Sequence, residues 1–213
     1  MSNETLIKTE DLCVREKRNR FRDEMEMLYC EAGCLPYIRK DTHASRLSGK
    51  TVASSSSHYI GDRLWRLDNM VTHRDWRGKG IATAHIQRLL QKIKEKQKTA
   101  IALFFEIESR LEKNLTEQER QSRNAVARFF ENCGARAWPG KLLVPNGNLA
   151  GDTIFNMELM WIPIGRHPTQ AEIRRILHYI LCEYTELSSR HSLYRQVVCQ
   201  QFKGRLPTKL ASE

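Results

Sequence analysis

The stretch that most narrows what this chain can become runs from Leu64 to Lys96. An apolar run, Leu64 to Val71, ends in a polar turn. Two glycines, Gly78 and Gly80, then flank Lys79, and an amphipathic segment opens at Ile81. That order predicts strand, glycine-rich loop and helix, because glycine permits backbone conformations and close approaches that a Cβ forbids. A helix beginning directly after such a loop turns unpaired N–H groups toward whatever lies in front of it, and the helix dipole favours an anion there. The loop is therefore a phosphate cradle. Two familiar forms are excluded by spacing: there is no Gly-x-x-x-x-Gly-Lys-Ser/Thr, and the third glycine of the dinucleotide fingerprint is missing.

The helix repeats apolar residues at Ala82, Ile86, Leu89, Leu90 and Ile93, with Arg88, Lys92, Lys94 and Lys96 turned outward. Thr99 to Glu108 follows as a nearly continuous apolar run, which fits a buried parallel strand reached by a right-handed crossover. The centre of the fold is thus a βαβ unit. Thr116-x-x-Glu119 is a capping box opening another helix, whose expected apolar face is Val126, Phe129, Phe130 and Cys133 before Gly134 stops it. Ala135–Val144 and Thr153–Ile162 read as an antiparallel pair joined by a turn-rich loop.

Arg77-x-x-Gly80-x-Ala82 resembles the pyrophosphate-binding motif of the GNAT superfamily of N-acetyltransferases. Further on, Asn124-x-x-Ala127-x-x-Phe130-x-x-x-Gly134 resembles that family's second signature, with Ala135 where its last Phe would stand. The two motifs occur in the family's order, and the resemblance covers roughly residues 52–163. It implies an α/β (α+β) fold with a mixed, mostly antiparallel sheet around the βαβ unit. Residues 1–51 are read as an N-terminal helical segment contributing to the acceptor site, 52–163 as the acetyltransferase core, and 164–213 as a helical extension. A solvated amphipathic helix is expected over 10–31. From Ala32 to Ser57 the signals are weak, and the run Ser54–Ser57 reads as a flexible turn or an edge strand. In the tail, Thr169-x-x-Glu172 caps a helix carrying Ile173, Ile176, Leu177, Ile180, Leu181 and Tyr184 on one face, and Leu193 to Phe202 suggests a last one.

The resemblance also implies acetyl-CoA as co-substrate. Gly78, Lys79, Gly80, Ile81 and Ala82 would meet its pyrophosphate, with Arg77 and Lys79 adding charge. Backbone groups of Met70 and Val71 would line the pantetheine arm, and Asn124 would touch the coenzyme from its helix. Acetyl transfer needs a neutral amine, and an alkyl amine of pKa near 10.4 costs about 4–5 kcal/mol to deprotonate at pH 7. A carboxylate near the strands could accept that proton. Asp68, Glu106 and Glu108 are the candidates, since carboxylates in otherwise apolar strands need a reason, catalysis or an ion pair with Arg63, Arg66, Arg110 or Arg123. The family often assigns protonation of the departing thiolate to a tyrosine in the Asn124 helix, where this chain has Phe129 and Phe130. Tyr59, His58 or Ser109 would have to serve instead, or the thiolate leaves unaided.

The expected function is an acetyl-CoA-dependent N-acetyltransferase acting on the primary amine of a small molecule in a ternary complex. The alternatives are a non-catalytic coenzyme A-binding or assembly module, or an acyltransferase for a protein, tRNA-linked or carrier-bound substrate. The net charge of +10 suits coenzyme phosphates, an acidic carrier or nucleic acid without choosing among them. Nucleic acid is disfavoured because the basic run Lys92–Lys98 lacks stacking aromatics. Six cysteines without a Cys-x-x-Cys pair read as reduced thiols, no metal site is expected, and the other histidines read as structural or solvated. The absence of a signal core or a long apolar span predicts a cytoplasmic protein without membrane contact. The tail is expected to pack on the domain or on a second copy, making a homodimer.

Overall fold

The computed structural model describes residues 8–11, 42–47, 50–145 and 154–200. The expected helix over 10–31 lies outside these residues, apart from Glu10 and Asp11, which belong to a strand. The chain divides into two compact units. One holds the described residues up to Phe105 together with Pro163–Arg166, and the other holds Glu106–Ile162 and the described residues from His167.

In the first unit β1 (Lys8–Asp11), β2 (Thr42–Leu47), β3 (Lys50–Gly61) and β4 (Leu64–Thr72) form an antiparallel series. The chain then enters α1 (Ile81–Lys96) and returns as β5 (Ala102–Glu108), parallel to β4, so the expected βαβ unit is present. β3 and β4 are joined through Asp62 and Arg63, both at positive φ, the conformation that matches a tight hairpin to strand twist. α1 lays Ile81, Ile86, Leu89 and Ile93 into the interior, while Leu64, Leu103 and Phe104 are fully buried in the strands. Burial of each such side chain contributes about 1.5–3 kcal/mol.

The serine run departs from its expected reading. Ser54 to Ser57 lie mid-way along β3, an interior strand paired with β2 and β4, and all four are fully buried. Of the four, Ser55 finds its partner on α1: the buried His85 ring bonds Ser45 Oγ through Nδ1 (2.7 Å) and Ser55 Oγ through Nε2 (2.8 Å). Ser57 Oγ lies 3.5 Å from His43 Nε2.

The second unit begins within β5, at Glu106. Its helix α2 (Glu117–Asn132) starts on the expected capping box, in which Thr116 Oγ1 accepts from Glu119 N and the Glu119 carboxylate accepts from Thr116 N. Gly134, at φ +89°, follows its end. The buried face of α2 is Ala127 and Phe130; Val126, expected inside, is 42% exposed, because it sits one position away from the stripe that Ala127 anchors. β7 (Leu142–Pro145) pairs antiparallel with β8 (Ile154–Pro163), and the short β6 (Arg136–Ala137) pairs with Trp161 and Met160 of the same strand. Trp138-Pro-Gly140 interrupts the first of the two expected runs, and the connecting loop from 146 to 153 lies outside the described residues.

The tail is helical as expected. α3 (Gln170–His178) has the Thr169–Glu172 capping box and continues into a π-helical turn over Tyr179–Tyr184; Ile173, Ile176, Leu177, Ile180 and Leu181 are buried, whereas Tyr184 is exposed. α4 (Ser192–Tyr194) continues likewise over Arg195–Gln200. Cys133 and Cys182 are half-buried thiols. Among the described residues no helix is long and apolar enough to cross a membrane.

Candidate functional site

The glycine loop is held rigidly where it leaves β4. His73 N donates to Val52 O (2.9 Å), and a single 3-10 turn, Arg74–Trp76, follows, capped by His73 Nδ1 accepting from Asp75 N. Trp76 packs against Leu47, Val52, Ala53 and Ile81, which pins the turn to the first unit's core. The Lys79 ammonium lies 4.9 Å from the Trp76 ring centroid, and Arg77 Nε donates to Thr72 O (3.2 Å). Both expected cations are thus tethered beside the loop.

Gly78 and Gly80 stand at φ +73° and +75°, where an L side chain is strained, and Gly80 is the N-cap of α1. A Cβ at either position would meet nothing within 4 Å, so the need for glycine is conformational and the space before the helix is open. The first intrahelical bond, Ala84 N to Gly80 O, is 3.0 Å long, and no side chain caps the helix. By helix geometry the N–H groups of Ile81, Ala82 and Thr83 point into that open space. Together with the cations they form an anion site that fits a diphosphate.

β4 supplies a second element. Its pairing with β5 covers only Leu64↔Ala102, Trp65↔Leu103 and Arg66↔Phe104, yet β4 continues to Thr72. Past Arg66 no described strand pairs with it on that side. Met70 and Val71 stay bound to β3, opposite Ser55 and Ser54, and present their other edge. A pantetheine-like chain can add there as a strand would. The register of β3 jumps from Ser56↔Asn69 to Ser57↔Leu67, leaving Asp68 as a β-bulge where this edge opens.

The candidate carboxylates occupy different surroundings. The Asp68 side chain is buried, with its Oδ2 2.9 Å from His58 Nδ1 and its Oδ1 3.3 Å from an Arg66 terminal nitrogen. In the second unit Glu106 is half-buried on β5, and Glu108 is largely exposed with its carboxylate 3.0 Å from Arg123 Nε. Arg123 also donates to Glu112 (2.6 Å) and to Ser109 O (2.8 Å), so Glu108 belongs to a surface ion cluster. Asn124 is half-buried on α2, three residues before the buried Ala127.

Of the groups that could replace the missing tyrosine, Ser109 Oγ accepts from Leu111 N (3.1 Å) and Tyr59 Oη accepts from Arg63 N (3.3 Å). Tyr59 also packs on Trp65, and Phe129 meets Phe130 edge-on at 4.9 Å. Sequence reading missed the His58 contact with Asp68. The charges in an apolar strand were the available signal, and only the register brings His58 beside them.

The model of the acetyltransferase (GNAT) family matches residues 8–116, just over half of the chain. The chain belongs to the GNAT acetyltransferase family. No curated protein sequence matches it. Among solved structures, the ribosomal-protein-S18-alanine N-acetyltransferase from Escherichia coli is similar with a TM-score of 0.54 at 14% identity, covering 78% of this chain and 97% of that one. The diaminobutyrate acetyltransferase from Paenibacillus lautus, in complex with L-2,4-diaminobutyric acid and coenzyme A, gives 0.51 at 12% identity, covering 75% and 95%. An aminoglycoside 6'-N-acetyltransferase complexed with coenzyme A gives 0.50 at 15%, covering 77% and 99%. At such identities these likenesses speak for the fold. As a GNAT enzyme the protein is an acetyltransferase that uses acetyl-CoA.

Proposed function

We propose that this GNAT enzyme transfers the acetyl group of acetyl-CoA to the primary amine of a small molecule, by direct attack while both substrates are bound. The observation that carries the donor half is the pair of left-handed glycines opening an uncapped helix next to the unpaired edge of β4. Met70 and Val71 would hold the pantetheine arm and orient the thioester carbonyl through backbone groups. Asp68, Glu106 and Glu108 are the carboxylates available to draw a proton from the acceptor; the Arg123 pairing makes Glu108 the least suited of them. For the acceptor, support comes from similar folds whose names specify an aminoglycoside and a diamino acid, set against one that specifies a ribosomal-protein alanine.

Calorimetry with acetyl-CoA tests the donor site. Micromolar binding is expected for the wild type and none for Gly80→Glu, whose side chain puts strain and a negative charge into the anion site; undiminished binding to that variant would sink the reading. A thiol-release screen over small amines, an N-terminal peptide set and aminoacyl-tRNA tests the acceptor class. Turnover confined to peptides or tRNA would replace the small-molecule reading.

A further inference from the structure

His58 and Asp68 form a dyad on which the proton chemistry of the acceptor can be built. Ser55 of β3 bonds to His85 on α1, so alternation turns Ser55 and Ser57 toward that helix and Ser54, Ser56 and His58 to the opposite face of the sheet. Arg66 and Asp68 share that opposite face, since Asp68 contacts both Arg66 and His58. Asp68 is the bulged residue at the point where β4 parts from β5. A donor anchored at the N-terminus of α1 and laid along Met70 and Val71 would therefore present its thioester close to the dyad.

The division of labour within the dyad follows from burial. The Asp68 side chain is 4% exposed and its second oxygen faces the Arg66 guanidinium, so the carboxylate is shielded from an incoming amine. The His58 side chain is 17% exposed. An ionised carboxylate 2.9 Å from Nδ1 requires that nitrogen to carry the proton, which leaves the lone pair of the neutral ring on Nε2.

We propose that His58 Nε2 is the general base for acetyl transfer and Asp68 its positioning residue. The amine nitrogen forms a bond to the thioester carbonyl carbon and the carbon–sulfur bond breaks. The proton lost by the amine goes to His58 Nε2 and is returned to the departing thiolate, giving an amide and a thiol with no other reactant. This assignment rests on the amine-acetylation reading above, and it supplies an acid for the departing thiolate.

The test is steady-state thiol release with the best amine from the screen, from pH 5 to pH 10, beside calorimetric acetyl-CoA binding. His58→Gln and His58→Ala should lose kcat by ~100-fold or more near pH 7 with donor affinity within twofold, and imidazole should partly restore His58→Ala. Asp68→Asn should lower kcat with donor affinity within twofold and should abolish the preference of His58 for a proton on Nδ1 in long-range 1H–15N spectra, which a merely structural ion cluster would not do. Variants that keep kcat overturn the assignment while leaving the acetyltransferase reading intact. If the variants do not fold, or no amine turns over, the wild type decides by long-range 1H–15N spectra: His58 must be protonated on Nδ1 at pH 8. A ring protonated on Nε2 there overturns the dyad, whereas absent turnover by itself counts only against the amine acceptor.

Discussion

Acidification should destabilise the first unit through one buried ring. His85 lies fully buried on α1 between Ser45 Oγ and Ser55 Oγ, and as a neutral imidazole it donates to one hydroxyl and accepts from the other. Burial, then the positive fields of His43 and Lys92, bring its pKa down to about 3 from 6.5. The unfolded chain takes up a proton below pH 6.5 that the folded chain refuses until about pH 3, so the neutral ring's contribution is complete above 6.5 and is lost as pH falls between those values. For a shift of that size linkage gives a loss of about 2 kcal/mol at pH 5 and about 4 kcal/mol at pH 3, both relative to pH 8. Urea unfolding followed by tryptophan fluorescence at pH 8, 6.5 and 5 measures this. With a slope of about 1–3 kcal/mol per molar, the midpoint should drop by about 1 M between pH 8 and pH 5. His85→Gln keeps a donor and an acceptor without the titration. It should cost about 1–2 kcal/mol at pH 8 yet lose much less between pH 8 and 5 than the wild type. Parallel pH dependences for the two proteins would refute the reasoning, since all other titrating groups are common to both.

Three further changes have defined outcomes. Gly165→Ala would place a Cβ 2.8 Å from the backbone oxygen of Ala100, and a loss of about 1–3 kcal/mol in urea unfolding is expected. Gly78→Ala meets no atoms, so it should cost only the left-handed strain of about 1–2 kcal/mol, with a smaller loss of acetyl-CoA affinity in calorimetry than Gly80→Glu. Burial pushes the Glu158 carboxyl up, but hydrogen bonds from the Arg110 guanidinium and backbone amide outweigh it and hold the group below the usual carboxylate range. Its contribution is present above the ordinary carboxylate pKa and is lost as pH falls through the lowered value. Glu158→Gln should therefore cost about 1–2 kcal/mol at pH 7, less at pH 3, by the same unfolding assay.

The legible parts of this protein were those whose cause is local. The Thr116–Glu119 and Thr169–Glu172 boxes, the strand–loop–helix of Leu64 to Lys96 and the glycine N-cap all depend on residues within a few positions of one another, and each lies where the residue pattern put it. β3 was illegible because four consecutive serines carry no hydrophobic alternation. They are interior because β3 pairs with both β2 and β4, and the partner of Ser55 is a histidine thirty positions downstream, which no short window of the sequence contains. The site shows the same split. The positions of Arg77, Gly78 and Gly80 follow from a local motif, whereas the burial of Asp68 against Arg66 and His58 depends on a cross-strand register with a one-residue bulge. Glu108 and Glu106 look alike in the strand pattern, and their burial and the placement of Arg123 beside Glu108 separate them.

The three-pair contact between β4 and β5 sets a limit on how stable this enzyme can be made. Each further rung between Leu67 and Thr72 and a parallel neighbour would add backbone hydrogen bonds to the sheet, and each would close part of the edge along which the acyl donor is proposed to bind. Stability and substrate access therefore compete for the same amides. Consensus or computed stabilisation that straightens the bulge at Asp68 would raise the melting temperature of this protein while abolishing its turnover.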